Sequence, residues 1–196
     1  MSDAGTRRDT APRPREAARW AWAFTGSGHF FVESLALIAT LDPVDLFVSK
    51  AAEEVLRMYR QELPEHLRIY HDLSASAVPV GRFYEGRYHT LVVSPASANT
   101  VAKCVYGIAD SLVTNCFAQA GKCRVPSIVF ACDTSPEMIT MAPRGPVPVY
   151  PRAIDLENTD RLSRFDYCTV VETIGALEQS IAARKAELAA GVSSDG

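Results

Sequence analysis

The chain of 196 residues lacks any uninterrupted apolar run of the roughly 18–20 residues that a membrane-spanning helix needs. Its richest apolar stretch, residues 30–41, is short and carries Glu33. An excess of charge is also missing, because 20 lysines and arginines stand against 23 acidic residues, with the two signs interleaved. We therefore predict a protein that neither enters a membrane nor binds nucleic acid.

Cysteine is scarce, odd in number and unpaired in spacing. The five cysteines are Cys104, Cys116, Cys123, Cys132 and Cys168, and none of them stands in a Cys-x-x-Cys arrangement. This spacing argues against a zinc or iron–sulfur site, and no secretory signal precedes the cysteines. We expect no metal, reduced thiols and a cytoplasmic location.

Helical or strand periodicity is absent from residues 1–18, which are rich in Ala, Pro, Arg and Asp. Such a composition predicts a disordered tail. Hydrophobic residues make up 47% of the full sequence, which is typical of a globular protein with a substantial core. We predict one domain over residues 19–190, between an N-terminal tail and a C-terminal tail of residues 191–196.

A short apolar run, a polar turn and a segment of helical spacing follow one another four times. The predicted strands are residues 20–24, 45–48, 90–93 and 125–131. Strands that alternate with helices predict a parallel sheet with right-handed crossovers. The fold class is therefore α/β, a doubly wound parallel sheet with helices on both faces.

The segments between these units carry expectations of their own. Residues 63–72 predict another short helix, and residues 74–87 predict an irregular excursion. The long helix after Thr100 is expected to break near Gly107, and a last helix is expected over residues 173–189. Four prolines within residues 141–151 exclude a regular element there and suit a surface loop or an arm that reaches a neighbouring subunit.

In such a sheet, ligands bind outside the carboxyl ends of the strands. Glycines and hydroxyl groups dominate these ends, which are Thr25–His29, Ser49–Lys50, Ser94–Thr100 and Asp133–Ser135. No end carries a cluster of acids, which fits a metal-dependent hydrolase poorly. The pattern favours a phosphorylated cofactor held by hydroxyls and by backbone N–H groups at helix N-termini. It is not the Gly-x-Gly-x-x-Gly dinucleotide fingerprint, because position 31 is Phe.

One strand end resembles a known signature. Pro95-Ala-Ser-Ala-Asn-Thr100 is similar to the hexapeptide of the homo-oligomeric flavin-containing cysteine decarboxylase superfamily. The turn Thr25-Gly-Ser-Gly-His29 and the run Val48–Tyr59 resemble one branch of it, the archaeal-type flavoproteins and the acceptor-type dihydromethanopterin reductases. The resemblance extends over residues 20–180 in outline.

This resemblance implies a flavodoxin-like (Rossmann-like) fold that binds FMN. The implied cofactor-binding residues are Gly26, Ser27, Gly28, Ser49, Ser94, Ala96, Ser97, Asn99 and Thr100, and His29, Lys50 and Asp133 are further candidates for cofactor binding. For two of them a second interpretation stays open: His29 can be structural, and Lys50 can be a solvated turn lysine. The resemblance also implies a trimer as the basic unit, with FMN at a subunit interface and often a larger shell of trimers.

Two departures from the decarboxylases bear on the reaction. Their catalytic His would fall near Gly81 and Arg82, where this chain has none, and Ser135–Met141 replaces their substrate-clamping Pro-x-Met-Asn-x-x-Met-Trp stretch. A reductase needs neither feature, because the flavin carries the electron chemistry.

The leading hypothesis is therefore an FMN-dependent oxidoreductase. In two half-reactions an external donor, not identified by the sequence, reduces FMN, and the reduced flavin delivers hydride to dihydromethanopterin. His29 is the one candidate for a catalytic side chain. Two alternatives stay open: an FMN electron carrier without its own substrate, and a cysteine-type decarboxylase.

Overall fold

The structure is a computed structural model that describes residues 18–73, 77–142 and 144–192. The predicted N-terminal tail, apart from its last residue, lies outside the described residues, as do residues 193–196 of the predicted C-terminal tail. Within the described residues, no helix combines the length and the apolar character needed to cross a membrane.

Eight strands and seven helices make up the described part of the chain. The strands are β1 (Arg19–Phe24), β2 (Val44–Val48), β3 (Arg68–His71), β4 (Tyr88–Ala96), β5 (Ser127–Ala131), β6 (Met138–Ala142), β7 (Gly145–Val149) and β8 (Cys168–Val171). The helices are α1 (Phe31–Ile38), α2 (Lys50–Tyr59), α3 (Ala77–Gly81), α4 (Ala98–Val105), α5 (Leu112–Lys122), α6 (Ala153–Leu162) and α7 (Ile174–Val192).

Six strands form one parallel sheet in the order β3-β2-β1-β4-β5-β8, and helices cover both of its faces. Side chains of β1 alternate between the faces: Ala21 and Ala23 face the core under α4 and α5, whereas Trp22 and Phe24 face the core under α1, α2 and α7. A strand buried on both faces has a continuous apolar run, which explains the sequence pattern. The predicted doubly wound, flavodoxin-like class is confirmed.

The helix after β4 breaks where the sequence predicts. α4 ends at Val105, and Gly107 takes the left-handed conformation with φ of 70°. α5 then starts behind Ser111, whose hydroxyl accepts the N–H of Thr114 in a capping box. The long amphipathic run is therefore two helices on one face of the sheet.

The prediction of a short helix over residues 63–72 is wrong, because Arg68–His71 form β3 at the edge of the sheet. Only four residues pair, and Arg68 and His71 at the two ends of the strand are exposed. A short, polar edge strand of this kind carries little hydrophobic alternation for a sequence pattern to detect.

The exclusion of regular structure from residues 141–151 is also wrong. β6 and β7 form an antiparallel hairpin in which Ile139 pairs with Pro148 and Met141 with Pro146. Both strands of a two-stranded hairpin are edge strands. The nitrogen of a proline, which has no hydrogen to donate, can therefore face away from the partner strand. The segment is nevertheless a surface arm, as the prolines suggested.

β4 is longer than predicted and continues through Ser94 and Ala96. The Ser94 hydroxyl lies 2.8 Å from the hydroxyl of Ser34 on α1, and both residues are completely buried. A hydroxyl that is paired in this way can continue a buried strand. The polar turn therefore starts at Ser97, three residues later than the sequence indicates.

A buried charge cluster occupies the amino edge of the sheet, at the start of β2. The carboxylate of Asp45 has no exposed surface. It accepts a hydrogen bond of 2.6 Å from Arg19 Nε and one of 2.8 Å from the Tyr88 hydroxyl. The guanidinium groups of Arg68 and Arg82 lie 3.8 Å from the same carboxylate. Burial and the Asp45 carboxylate raise the pKa of the Tyr88 phenol, so this group remains a neutral donor.

Candidate cofactor site

The crevice at the carboxyl edge lies between β1 and β4, where the strand order reverses. Thr25, directly after β1, donates its hydroxyl to the carbonyl of Pro95 at 2.7 Å and accepts the N–H of Ser97 at 3.0 Å. On the other side, Ser49 N–H donates to the carbonyl of Phe24 at 3.2 Å. The loop after β1 is thus joined directly to the starts of both α2 and α4.

Two helix N-termini open onto this crevice, each capped by a serine. The Ser49 hydroxyl accepts the N–H of the third residue of α2 at 3.1 Å, and Ser97 does the same for Thr100 of α4 at 3.4 Å. The first N–H groups of each helix have no partner within the helix, and the helix dipole is positive there. Lys50 and Asn99 lie in these first turns. The arrangement favours an anion.

Two glycines let the loop after β1 lie directly against α2. A Cβ at Gly26 would come within 3.0 Å of the Cβ of Ala51, and a Cβ at Gly28 would come as close to the hydroxyl of Tyr59. Real Cβ atoms do not make such contacts, so a side chain at Gly26 would require the loop or α2 to shift, and one at Gly28 would require the Tyr59 side chain to move. The loop backbone therefore lies close against α2 at both glycines.

A cavity of about 110 Å³ lies between this loop, the end of β5 and the β6–β7 hairpin. Its lining residues are Ser27, His29, Cys132, Asp133, Met138, Thr140 and Val149. Tyr59 fastens the hairpin to α2, because its hydroxyl donates to the carbonyl of Met141 at 2.7 Å. The hairpin thus forms the wall of the cavity opposite the loop.

Among the side chains that line this cavity, His29 stands out because its polar atoms are buried without hydrogen-bond partners in the described part of the chain. Both ring nitrogens are buried and have no hydrogen-bond partner among the described residues. Burial lowers the pKa of the imidazole, although the charges of Asp133 and Glu33 act in the opposite direction. The main chain is well held, because His29 N–H donates to Ser27 Oγ at 3.2 Å and the Cys132 thiol lies 3.9 Å from the His29 carbonyl.

Asp133 and Cys132 follow β5 and have different roles. The carboxylate of Asp133 accepts the N–H of Ala98 at 3.2 Å, so the acid caps the first turn of α4. Burial raises the pKa of the Cys132 thiol to about 12, which keeps it protonated at neutral pH. Among the residues that the structure describes, no group of three His, Cys, Asp or Glu side chains could hold a metal ion. All five cysteines are free in the structure.

The structure brings ten of the twelve predicted site residues to this edge: Gly26, Ser27, Gly28, His29, Ser49, Lys50, Ser97, Asn99, Thr100 and Asp133. The side chains of the other two, Ser94 and Ala96, are completely buried within β4. Sequence reasoning missed Thr25, whose hydroxyl joins the loop after β1 to α4. It also missed Tyr59 and the hairpin residues of the cavity, because their proximity arises from the tertiary structure alone.

The strand order and the two capped helix N-termini at its switch point define a flavodoxin-like α/β protein with an anion-accepting edge. The chain belongs to the Flavoprotein family, whose family model matches residues 8–190. A dihydromethanopterin reductase (acceptor) of Methanosarcina mazei is 42% identical in an alignment of 141 positions that covers 64% of this chain. This chain spans 59% of the length of that relative.

Solved structures show the same fold. DmrB of Burkholderia xenovorans, crystallised in complex with FMN and described as a cubic protein cage for redox transfer, is 51% identical and superposes with a TM-score of 0.81. The match covers 87% of this chain and 97% of DmrB. Phenylacrylic acid decarboxylase from Aquifex aeolicus is 23% identical with a TM-score of 0.61, over 79% of this chain and 81% of that protein. That second likeness concerns the fold alone.

Proposed function

We propose that this protein is an FMN-dependent oxidoreductase that reduces 7,8-dihydromethanopterin to tetrahydromethanopterin. The observation that carries the proposal is the pair of serine-capped helix N-termini at the switch point. The chain that carries them is 51% identical to DmrB, which was crystallised with FMN, in a match that covers 97% of DmrB. The substrate follows from the name of the Methanosarcina mazei relative. The electron donor is an external reductant.

The residues present fit FMN. Gly26, Ser27, Gly28 and Ser49, with Lys50 beside them, would hold the phosphate, because the loop packs its two glycines against α2 and the dipole of α2 favours an anion at this helix end. The turn that carries Ser97, Asn99 and Thr100 would border the flavin ring, with His29 and Asp133 at its rim.

When bound, FMN would supply the two-electron chemistry, as a hydride to the carbon of the pterin C=N bond. The protein would position the flavin and the pterin and exclude water from between them. The cavity under the hairpin has apolar walls from Met138 and Val149 and polar groups from Thr140 and His29, which suits the edge of a heteroaromatic ring. We therefore place the pterin between the loop after β1 and the hairpin.

We further propose a trimer-based homo-oligomer with FMN at a subunit interface. The support comes from the hairpin and the residue that follows it, where Ile139, Met141 and Tyr150 are 68%, 57% and 68% exposed, respectively. DmrB, a close relative, is described as a cage. We expect a multiple of three subunits by mass photometry, and dissociation of the assembly by Ile139→Asp. A monomeric wild-type protein would refute this part.

The decisive experiment is an anaerobic half-reaction. Purified protein is reconstituted with FMN, reduced with dithionite, freed of excess reductant and mixed with dihydromethanopterin. We expect reoxidation of the flavin with formation of one equivalent of tetrahydromethanopterin. If the flavin stays reduced, the protein is an electron carrier. Release of CO2 from a peptidyl cysteine would instead identify a decarboxylase. A protein that binds no FMN at all refutes the whole proposal.

The site assignment has its own test. Asn99→Trp and Ser97→Phe place bulk in the first turn of α4, where the flavin ring is proposed, and we expect both to reduce flavin retention at least tenfold. Glu178→Trp on the exposed face of α7 adds similar bulk away from the crevice and serves as the control. Normal flavin content in the two α4 variants would refute the assignment of these residues.

A further inference from the structure

The main chain of His29 is fixed by hydrogen bonds, whereas both nitrogens of its imidazole lack a partner among the described residues. Its backbone N–H is bound by Ser27, its carbonyl faces the Cys132 thiol, and its ring lies 3.9 Å from the ring of Phe30, centroid to centroid. Phe30 takes the left-handed conformation, with φ of 54° and no side-chain cap on α1. A strained backbone of this kind at a cleft points to a function for the residue it orients.

Two buried nitrogens without partners destabilise the protein unless something else bonds to them. Asp133 is the acid whose charge acts most strongly on the imidazole, but its carboxylate accepts the N–H of Ala98. Since burial keeps the imidazole neutral, one nitrogen donates and the other accepts. The ring is therefore complementary to a ligand whose edge carries an acceptor beside a donor.

The position of the ring favours the substrate over the cofactor. The helix N-termini that attract a phosphate are those of α2 and α4, whereas the His29 ring lines the cavity closed by Met138, Thr140 and Val149 of the hairpin. The cavity of about 110 Å³ is small, so it receives the edge of a ring system. A dihydropterin presents such an edge, with an imine nitrogen and a carbonyl oxygen as acceptors and ring N–H groups as donors.

We propose that His29 is a specificity-determining residue whose ring N–H donates a hydrogen bond to the pteridine ring of the substrate. This inference rests on the proposed function, since it assigns a recognition role within the same site. The contact would orient the C=N bond of the dihydropterin and select pteridines over apolar rings of the same shape. No other cavity-lining residue pairs a ring donor with a ring acceptor.

The test measures binding separately for the two ligands. His29→Phe keeps a flat ring and removes both nitrogens, His29→Asn retains a polar atom near the position of Nδ1, and His29→Gln retains one near Nε2. His66→Phe, at an exposed histidine between α2 and β3, is the matched control because it makes the same exchange away from the cavity. The dissociation constant of FMN is measured by fluorescence titration of the FMN-free protein. That of 6-methyl-7,8-dihydropterin is measured by equilibrium dialysis of the holoprotein.

We expect His29→Phe to weaken dihydropterin binding by about 5- to 150-fold, the range for an unpaired buried polar group, with FMN affinity changed less than about threefold. One of the two amide variants should restore binding to within about fivefold and so identify the nitrogen that bonds. His66→Phe should bind dihydropterin nearly as the wild type does.

Two results would overturn the inference while the proposed function stands: a His29→Phe variant that binds and reduces dihydropterin normally, or one that loses FMN and keeps its dihydropterin affinity. A wild-type holoprotein that binds no dihydropterin would remove the proposed function together with the inference. The wild-type measurement therefore separates the two failures.

Discussion

Replacing Gly26 by alanine tests how the loop after β1 packs on α2. Gly26 is exposed, and its φ lies outside the left-handed region, so neither burial nor backbone strain opposes a methyl group there. The new Cβ would instead lie within 3.0 Å of the Cβ of Ala51, the second residue of α2. The helix must shift or the loop must lift, and overpacking of this kind costs about 1–3 kcal/mol.

The neighbouring position offers a matched rescue. Ala51→Gly removes the one atom in conflict and leaves the Ala51 main-chain carbons at 3.5 Å from the new methyl group, an ordinary contact. Alone, this change lowers helix propensity and costs about 0.5–1 kcal/mol. The double variant moves one methyl group from the helix to the loop, so we expect Gly26→Ala to cost close to nothing in the Ala51→Gly background. The coupling energy is then about 1–3 kcal/mol.

Urea unfolding of the four FMN-free proteins, followed by circular dichroism at one protein concentration, measures this cycle. FMN affinity provides a second reading, because a lifted loop also displaces the proposed phosphate contacts. If Gly26→Ala is as stable as the wild type, or is equally destabilising with alanine and with glycine at position 51, the packing argument is wrong.

Three further outcomes follow from single contacts. Tyr59→Phe removes the hydroxyl that fastens the hairpin, and we expect a loss of about 0.5–1.5 kcal/mol in unfolding free energy together with faster proteolysis within the hairpin. Asp45→Asn breaks a buried ion pair with Arg19, and urea unfolding should show a loss of about 3–5 kcal/mol; a loss below about 1 kcal/mol would contradict the burial of that pair. Burial and a nearby arginine lower the pKa of His89 to about 4 from 6.5, so the unfolded chain binds the proton more readily and stability is lost as pH falls from about 6.5 to about 4. A His89→Gln variant should show a flatter stability profile over that interval, and an unchanged profile would contradict this assignment.

The core of the fold was accessible from sequence because burial on both faces produces continuous apolar runs. β1, β2 and β5 show such runs and were predicted within two residues at each end. β3 and β8 contain four residues each and lie at the two edges of the sheet, where half-exposed side chains blur the pattern. The sequence pattern therefore does not reveal these two edge strands.

Tertiary partners explain the other errors. A buried serine such as Ser94 resembles a turn residue until its partner Ser34 is known, and the partner lies 60 positions away in sequence. The prolines of the hairpin exclude a central strand, but they do not exclude a two-stranded arm. Local sequence carries no information about either arrangement.

For the site, glycines and helix caps were predictable because their roles are local. Ser49 and Ser97 cap the helices that directly follow them, and each signal lies within four residues. The cavity was not predictable, because Tyr59, Cys132 and Thr140 meet only after three separate segments have packed. The assignment of individual residues to FMN stays a prediction.

The hairpin has a consequence for how proteins of this architecture can diversify. It is inserted between β5 and α6, forms a separate two-stranded sheet, and accepts a hydrogen bond from Tyr59 of α2. Its two ends leave the sheet at one junction, so an arm of another length or composition can be exchanged there without moving any strand that carries a capped helix. Selectivity of the cavity and the scaffold of the crevice are therefore separable modules that can be redesigned one at a time.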